Sequence, residues 1–145
     1  MEKIIVYTDG GSKGNPGPGG IGVVVCNEEE QVIKKYSQPL GTVTNNQAEY
    51  QAVIFALKKI KLIFGKKKTK ELEVLIKTDS QLLERQLNGQ YKIMDEKIQP
   101  LFIEVWNLKL EFKEVVFENI PREENQEADK LVKQAFEEKS DQKLI

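Results

Sequence analysis

Two β-branched apolar runs in this chain stop in the same way. Lys3–Thr8 leads into Asp9-Gly10, and Leu72–Lys77 leads into Thr78-Asp79-Ser80. Short hydrophobic runs halted by polar and small residues read as buried strands. Between them a helical period starts at Asn46, with apolar residues at Ala48, Ala52, Val53, Ala56, Leu57 and Ile60. A crossover helix joining two strands of one sheet returns the chain parallel to its start. Asp9 and Asp79 are therefore expected side by side at one edge of the sheet.

The remaining pattern leaves few topologies. Ile21–Cys26 and Gln31–Tyr36 read as two further strands at meander spacing, and Val115–Ile120 as a fifth, stopped by Pro121. Ser80 can cap a short helix carrying Leu82, Leu83 and Leu87 that ends at Asn88-Gly89. Ile98, Leu101, Phe102, Val105, Leu108 and Phe112 form a long amphipathic stripe, and a last helix runs from about Glu124 with Ala128, Leu131, Val132, Ala135 and Phe136 inward. The order βββαβααβα predicts an α/β fold: a five-stranded mixed sheet, order 3-2-1-4-5, with helices on both faces. Residues 1–138 are read as one domain and 139–145 as a flexible tail. Glu49 and Asp129, each early in its helix, come down on the edge that carries Asp9 and Asp79. Open α/β sheets place their ligands at that C-terminal edge.

Composition narrows the chemistry. The chain has no histidine and one cysteine, Cys26, within the apolar run Val23–Cys26. Ser-His-Asp and Cys-His mechanisms and His-rich zinc sites are excluded, and Cys26 reads as a buried, inert thiol. Four convergent carboxylates instead suit a hard cation such as Mg²⁺. The net charge of −1 gives no bulk support for nucleic-acid binding, so any such binding must use local patches. The one marked basic cluster, Lys58, Lys59, Lys61, Lys66, Lys67, Lys68 and Lys70, reads as a solvated helix end and loop. Trp106 reads as packed beside the core face of its helix. No signal-peptide pattern or membrane-length apolar run is present, and a cytoplasmic protein is expected.

One motif misleads. Gly17-Pro18-Gly19-Gly20-Ile21-Gly22 satisfies G-x-G-x-x-G, but Val23-Val24-Val25 follows where a dinucleotide site needs a helix. The glycines read instead as a tight turn into a hairpin and as a surface that another backbone can approach closely.

Read together, Tyr7-Thr8-Asp9-Gly10-Gly11-Ser12 with Gly14-Asn15-Pro16-Gly17-Pro18-Gly19-Gly20, Thr44-Asn45-Asn46-Gln47-Ala48-Glu49, Thr78-Asp79-Ser80-Gln81 and Asn125-Gln126-Glu127-Ala128-Asp129 resemble type 1 ribonuclease H, in order and spacing. The resemblance implies the ribonuclease H-like fold and an endonuclease that cuts the RNA strand of an RNA–DNA hybrid, leaving 5′-phosphate and 3′-hydroxyl ends. It implies Asp9, Glu49, Asp79 and Asp129 as holders of two Mg²⁺ ions, with Mn²⁺ a substitute. In that arrangement Asp9 bridges the ions, Asp79 and Asp129 serve the water side and Glu49 the leaving-group side. It also implies that Gly11, Ser12, Asn15, Asn45, Asn46 and Gln81 meet the minor groove and its 2′-hydroxyls. A monomer without small-molecule cofactor is expected.

The chain departs from the family pattern in one loop. Many members carry a histidine before the last helix; here the loop is Asn119-Ile120-Pro121-Arg122-Glu123-Glu124-Asn125. Arg122 stays protonated, so it can stabilise charge but cannot shuttle a proton. A lysine-rich protrusion is also missing, since Asn88–Gln99 is short, and hybrid affinity is expected to be modest and salt-sensitive. The alternatives are a non-catalytic hybrid-binding module of the same fold, which four mutually repelling carboxylates disfavour, and a different polynucleotidyl transferase, which the Asn45-Asn46 pair disfavours.

Overall fold

The computed structural model describes residues 2–144, with side chains described through residue 138. The expected tail, 139–145, thus lies outside the residues whose side chains are described. In chain order the elements are β1 (Lys3–Ser12), β2 (Gly17–Cys26), β3 (Val32–Val43), α1 (Asn45–Thr69), β4 (Glu73–Thr78), α2 (Gln81–Leu87), α3 (Gln99–Lys109), β5 (Glu114–Asn119) and α4 (Gln126–Leu144). A short 3₁₀ turn, Arg122–Glu124, precedes α4, which is why the last helix starts at Gln126 and not at Glu124.

The sheet has the predicted order β3-β2-β1-β4-β5. β1 pairs antiparallel with β2 and parallel with β4, and Thr8 lies opposite Thr78. Asp9 and Asp79 therefore follow a matched pair on adjacent central strands. Side chains alternate between the two sheet faces, as strand geometry requires. Ile4 and Val6 join Tyr50, Val53 and Leu57 of α1 and Val105 and Leu108 of α3 in the larger core. Ile5 and Val24 pack with Cys26 on the opposite face, beneath Leu131 of α4. Cys26 is buried and unpaired, as expected, and burial pushes its thiol up.

Several boundaries differ from the sequence reading. β3 continues to Val43, well past Tyr36. It is an edge strand, where Pro39 costs the sheet no ladder bond on its solvent side. β2 starts at Gly17, so the glycine run is already strand. A methyl group on Gly22 would lie 2.1 Å from the Ala128 carbonyl oxygen. The backbone admitted at that end of the run is α4. α1 runs beyond Ile60, the last apolar residue of its period, through most of the lysine cluster, and breaks only at Gly65 (φ 82°) before a last turn.

The lysines of this stretch pair outward, Lys58 with Glu104 at 2.9 Å and Lys61 with Glu111 at 2.7 Å, in keeping with a solvated face. Trp106 corrects the sequence reading. It is half exposed on the outer side of α3, with the Lys109 ammonium 5.3 Å from its ring, while Val105 and Leu108 take the core positions. No described helix is long and apolar enough to cross a membrane.

Candidate active site

The site is built where β1, β4, α1 and α4 meet. Thr44 caps α1 reciprocally: its hydroxyl accepts from the Gln47 N–H at 3.1 Å, and the Gln47 side chain accepts from the Thr44 N–H at 2.8 Å. This box fixes the first turn, so Glu49, one turn in, reaches the end of β1. There the Gly10 N–H donates to Glu49 Oε1 at 2.6 Å and to Asp9 Oδ1 at 3.0 Å. One carboxylate oxygen from each of Asp9, Glu49 and Asp79 lies within 4.8 Å of the others.

The fourth acid stands slightly apart. Buried Asn125 donates to the Thr8 carbonyl at 2.9 Å and ties the start of α4 to the end of β1. One turn later Asp129 faces the same cleft, outside the tight trio, with Lys133 Nζ 3.0 Å from its Oδ2. Arg122 lines the cleft from the 3₁₀ turn.

Burial dominates the electrostatics. Burial, reinforced by Asp79 and Asp129, pushes Asp9 up to about 7 against the hydrogen bonds from Gly10 and Glu49. Glu49 is raised well above the usual carboxylate range, first by burial and then by Asp9 and Asp79. Burial raises Asp79 as well, and Arg122 and Asn125 oppose it. Among the described residues, no lysine or arginine forms an ion pair with Asp9, Glu49 or Asp79. A set of hard oxygen donors without a paired cation among the described residues fits a divalent cation.

A pH dependence follows. With Asp9 at about 7 in the folded protein against 3.8 ordinarily, the folded state holds the proton more tightly than the unfolded chain. The metal-free protein is therefore expected to be most stable below about pH 4 with respect to this group, and to lose stability up to about pH 7. The loss is at most about 1.4 kcal/mol per pH unit. Thermal melts in chelator at pH 5 and pH 7 check the sign. A melting temperature that rises over this interval would contradict it.

The reverse transcriptase-like family matches residues 7–135 of the chain. A bifunctional protein of Mycobacterium tuberculosis is 32% identical over 93% of this chain, which spans only 36% of that protein's length. Among solved structures, the LC11 RNase H1 isolated from compost by a metagenomic approach is 42% identical with a TM-score of 0.88, over 95% of this chain and 98% of that one. The chain belongs to the type 1 ribonuclease H family. RNase H1 of Halobacterium salinarum is 32% identical with a TM-score of 0.85, over 94% of this chain and 98% of that one. The LC11 enzyme has also been solved in complex with an RNA/DNA hybrid. The ribonuclease H family depends on divalent metal, and the Asp9, Glu49 and Asp79 cluster is compatible with one.

Of the residues expected to meet substrate, Gly11, Ser12, Asn15, Asn45 and Asn46 line the cleft. Gln81 does not; it is exposed in the first turn of α2, which offers Leu82 to the cleft after the capping Ser80. Two of the asparagines already bond to the protein. Asn45 Oδ1 accepts from the Ser12 N–H at 3.0 Å, and Asn15 Oδ1 accepts from the Asn45 N–H at 2.9 Å. Their NH₂ groups are what they can offer a ligand. Asn46 donates at 3.5 Å to Gln86 Oε1, which also accepts from the Tyr50 hydroxyl at 2.9 Å.

Sequence reasoning missed Gly10, Leu82, Lys133 and Phe136. Lys133 had a signal, since it stands four residues after Asp129 on a helix and so on the same face. Gly10 had a weaker one, as a glycine next to a candidate ligand. Nothing in the periodicity distinguishes Phe136 from an ordinary core residue.

Proposed function

We propose that this chain is an endoribonuclease that hydrolyses the RNA strand of RNA–DNA hybrids, leaving 5′-phosphate and 3′-hydroxyl ends. It acts as a monomer with two Mg²⁺ ions, which Mn²⁺ can replace. The observation that carries the reading is the trio of Asp9, Glu49 and Asp79 oxygens within 4.8 Å of one another, in a cleft that Asp129 also lines. The likeness to RNase H1 proteins, one of them solved with hybrid, supports the substrate class.

Asp9, Glu49, Asp79 and Asp129 would hold the ions. When bound, the ions supply positive charge that eases deprotonation of water and takes up charge on the departing 3′-oxygen. The chain's own contribution is placement. Gly10 fixes the Glu49 carboxylate, and Asn45 and Ser12 hold the β1 tail to the start of α1. Asparagine NH₂ groups at the cleft suit a ribose 2′-hydroxyl, which accepts as well as donates and distinguishes RNA from DNA.

Arg122 stabilises charge at the cleft and holds Asp79 down toward its ionised form. Arg122→Ala is expected to lower kcat about tenfold, less than the roughly hundredfold or more that losing an oxyanion-hole donor costs. Unchanged kcat and kcat/KM in that variant would remove the role.

The test is an end-labelled hybrid incubated with the purified chain and Mg²⁺, beside duplex DNA and duplex RNA. Cutting confined to the RNA strand of the hybrid, with 5′-phosphate products, is the expected result. Tight hybrid binding without cutting, in Mg²⁺ or Mn²⁺, would point to the binding-module alternative.

A further inference from the structure

The cleft does not end at the carboxylates. β1 continues past Asp9 through Ser12, and α4 runs beside this tail: a Cβ on Gly11 would meet Val132 Cγ1 at 3.6 Å and Phe136 Cζ at 3.9 Å. Seven residues separate Asp129 from Phe136, a rise of ~10 Å along the helix. The extension is lined by Ser12, Asn45, Val132, Lys133 and Phe136. At its far rim the Lys13 ammonium stands 5.2 Å from the centre of the Phe136 ring. An aromatic face attracts an ammonium and limits where it can sit. The Lys13 N–H also bonds the Pro18 carbonyl at 2.8 Å, which anchors its backbone.

The two lysines near Phe136 differ in their pairing. Lys133 is paired with Asp129. Lys13 is exposed and, among the described residues, forms no ion pair. An exposed cation oriented by an aromatic ring, beyond the end of an acid-lined groove, suits an anion one step removed from the cut.

We propose that Lys13 and Phe136 form a subsite for the RNA strand, in which Lys13 contacts a backbone phosphate neighbouring the scissile one and Phe136 positions Lys13. The subsite rests on the hybrid-nuclease reading. It acts on binding and not on the chemical step, because it lies away from the reacting atoms. It also gives a chain with net charge −1 and no lysine-rich protrusion a local means of gripping its substrate.

Steady-state cleavage of a short hybrid over a salt series tests this, with the intact chain, Lys13→Ala and Phe136→Leu. Lys13→Ala is expected to raise KM about threefold to tenfold at low salt with kcat unchanged. Its plot of log(kcat/KM) against log salt should be shallower by about 0.7–0.9, the loss of one phosphate contact. A purely structural role would not move that slope. Phe136→Leu should raise KM by less. A single methylphosphonate walked along the RNA strand should raise KM for the intact chain at one position, and not for Lys13→Ala at that position. If the intact chain cuts hybrid while Lys13→Ala keeps its KM and slope, or loses kcat instead, the subsite is wrong and the functional reading stands. If the intact chain neither cuts nor binds hybrid, both fall.

Discussion

Asp9→Asn is expected to reduce hybrid cleavage by on the order of a thousandfold while raising the melting temperature of the metal-free protein at pH 8. The two effects share one cause. Asp9 sits on the central strand just past the end of its pairing with β4, buried, with its charge opposed by burial and by the anions of Asp79 and Asp129. Asparagine has the same shape and keeps an oxygen to accept from the Gly10 N–H, so the local hydrogen bond survives. It removes one of the charges that destabilise the empty site, and with it a ligand for the cation. Mg²⁺ should accordingly stabilise the intact chain by mass action and the variant much less. Melts with chelator and with Mg²⁺, beside the cleavage assay, separate the effects. A variant that loses activity and also melts lower would mean that Asp9 supports the fold and not a metal.

How much of this could be read from the residues differs between the sheet and the site. The repeated Thr-Asp ending placed β1 and β4 side by side because parallel pairing in matched register carries both chain ends to one edge. Apolar alternation and helical period were sufficient for the order of the strands. The length of β3 was not legible, since an edge strand needs neither a continuous apolar run nor a proline-free one. α1 runs on past Ile60, where Phe64 packs against the core and Lys61 reaches Glu111 beyond the end of α3, tertiary facts no local pattern carries.

At the site, the trio of acids was legible from strand ends and one helix start. The internal duties of Asn15 and Asn45 were not. Their oxygens join the β1 tail to the α1 N-terminus, two segments far apart in the chain. Phe136 was read as an inward residue of α4, and it does lie against β1. What the period could not give is that β1 continues there beside it, so that both Phe136 and the β1 tail line the cleft.

Gly10→Ala is expected to cost the fold several kcal/mol, beyond the 1–3 typical of overpacking, with a melting temperature lower by roughly 10 °C or more. An added methyl would stand 2.3 Å from the Ala48 carbonyl carbon and oxygen and 2.6 Å from the Glu49 nitrogen. These are backbone atoms of a helix, so no side chain can turn aside to make room. α1 cannot back away cheaply either: its start is held by the Thr44 capping box, and Tyr50, Val53 and Leu57 lie fully buried against the sheet. Any population that folds must part Glu49 from the Gly10 N–H, which opens the carboxylate trio. Gly41→Ala is the control, because a methyl there meets nothing within 4 Å, and it should leave stability and cleavage nearly unchanged. Chemical denaturation of both variants, with cleavage assayed on whatever folds, gives the comparison. In Asp9→Asn stability and activity should move in opposite directions, whereas in Gly10→Ala they should fall together. That contrast identifies Gly10 as the point where the packing of α1 on β1 and the geometry of the acids are the same constraint. A Gly10→Ala protein as stable and active as the intact chain would show that α1 can move off β1 without cost, and would remove the reason for the glycine.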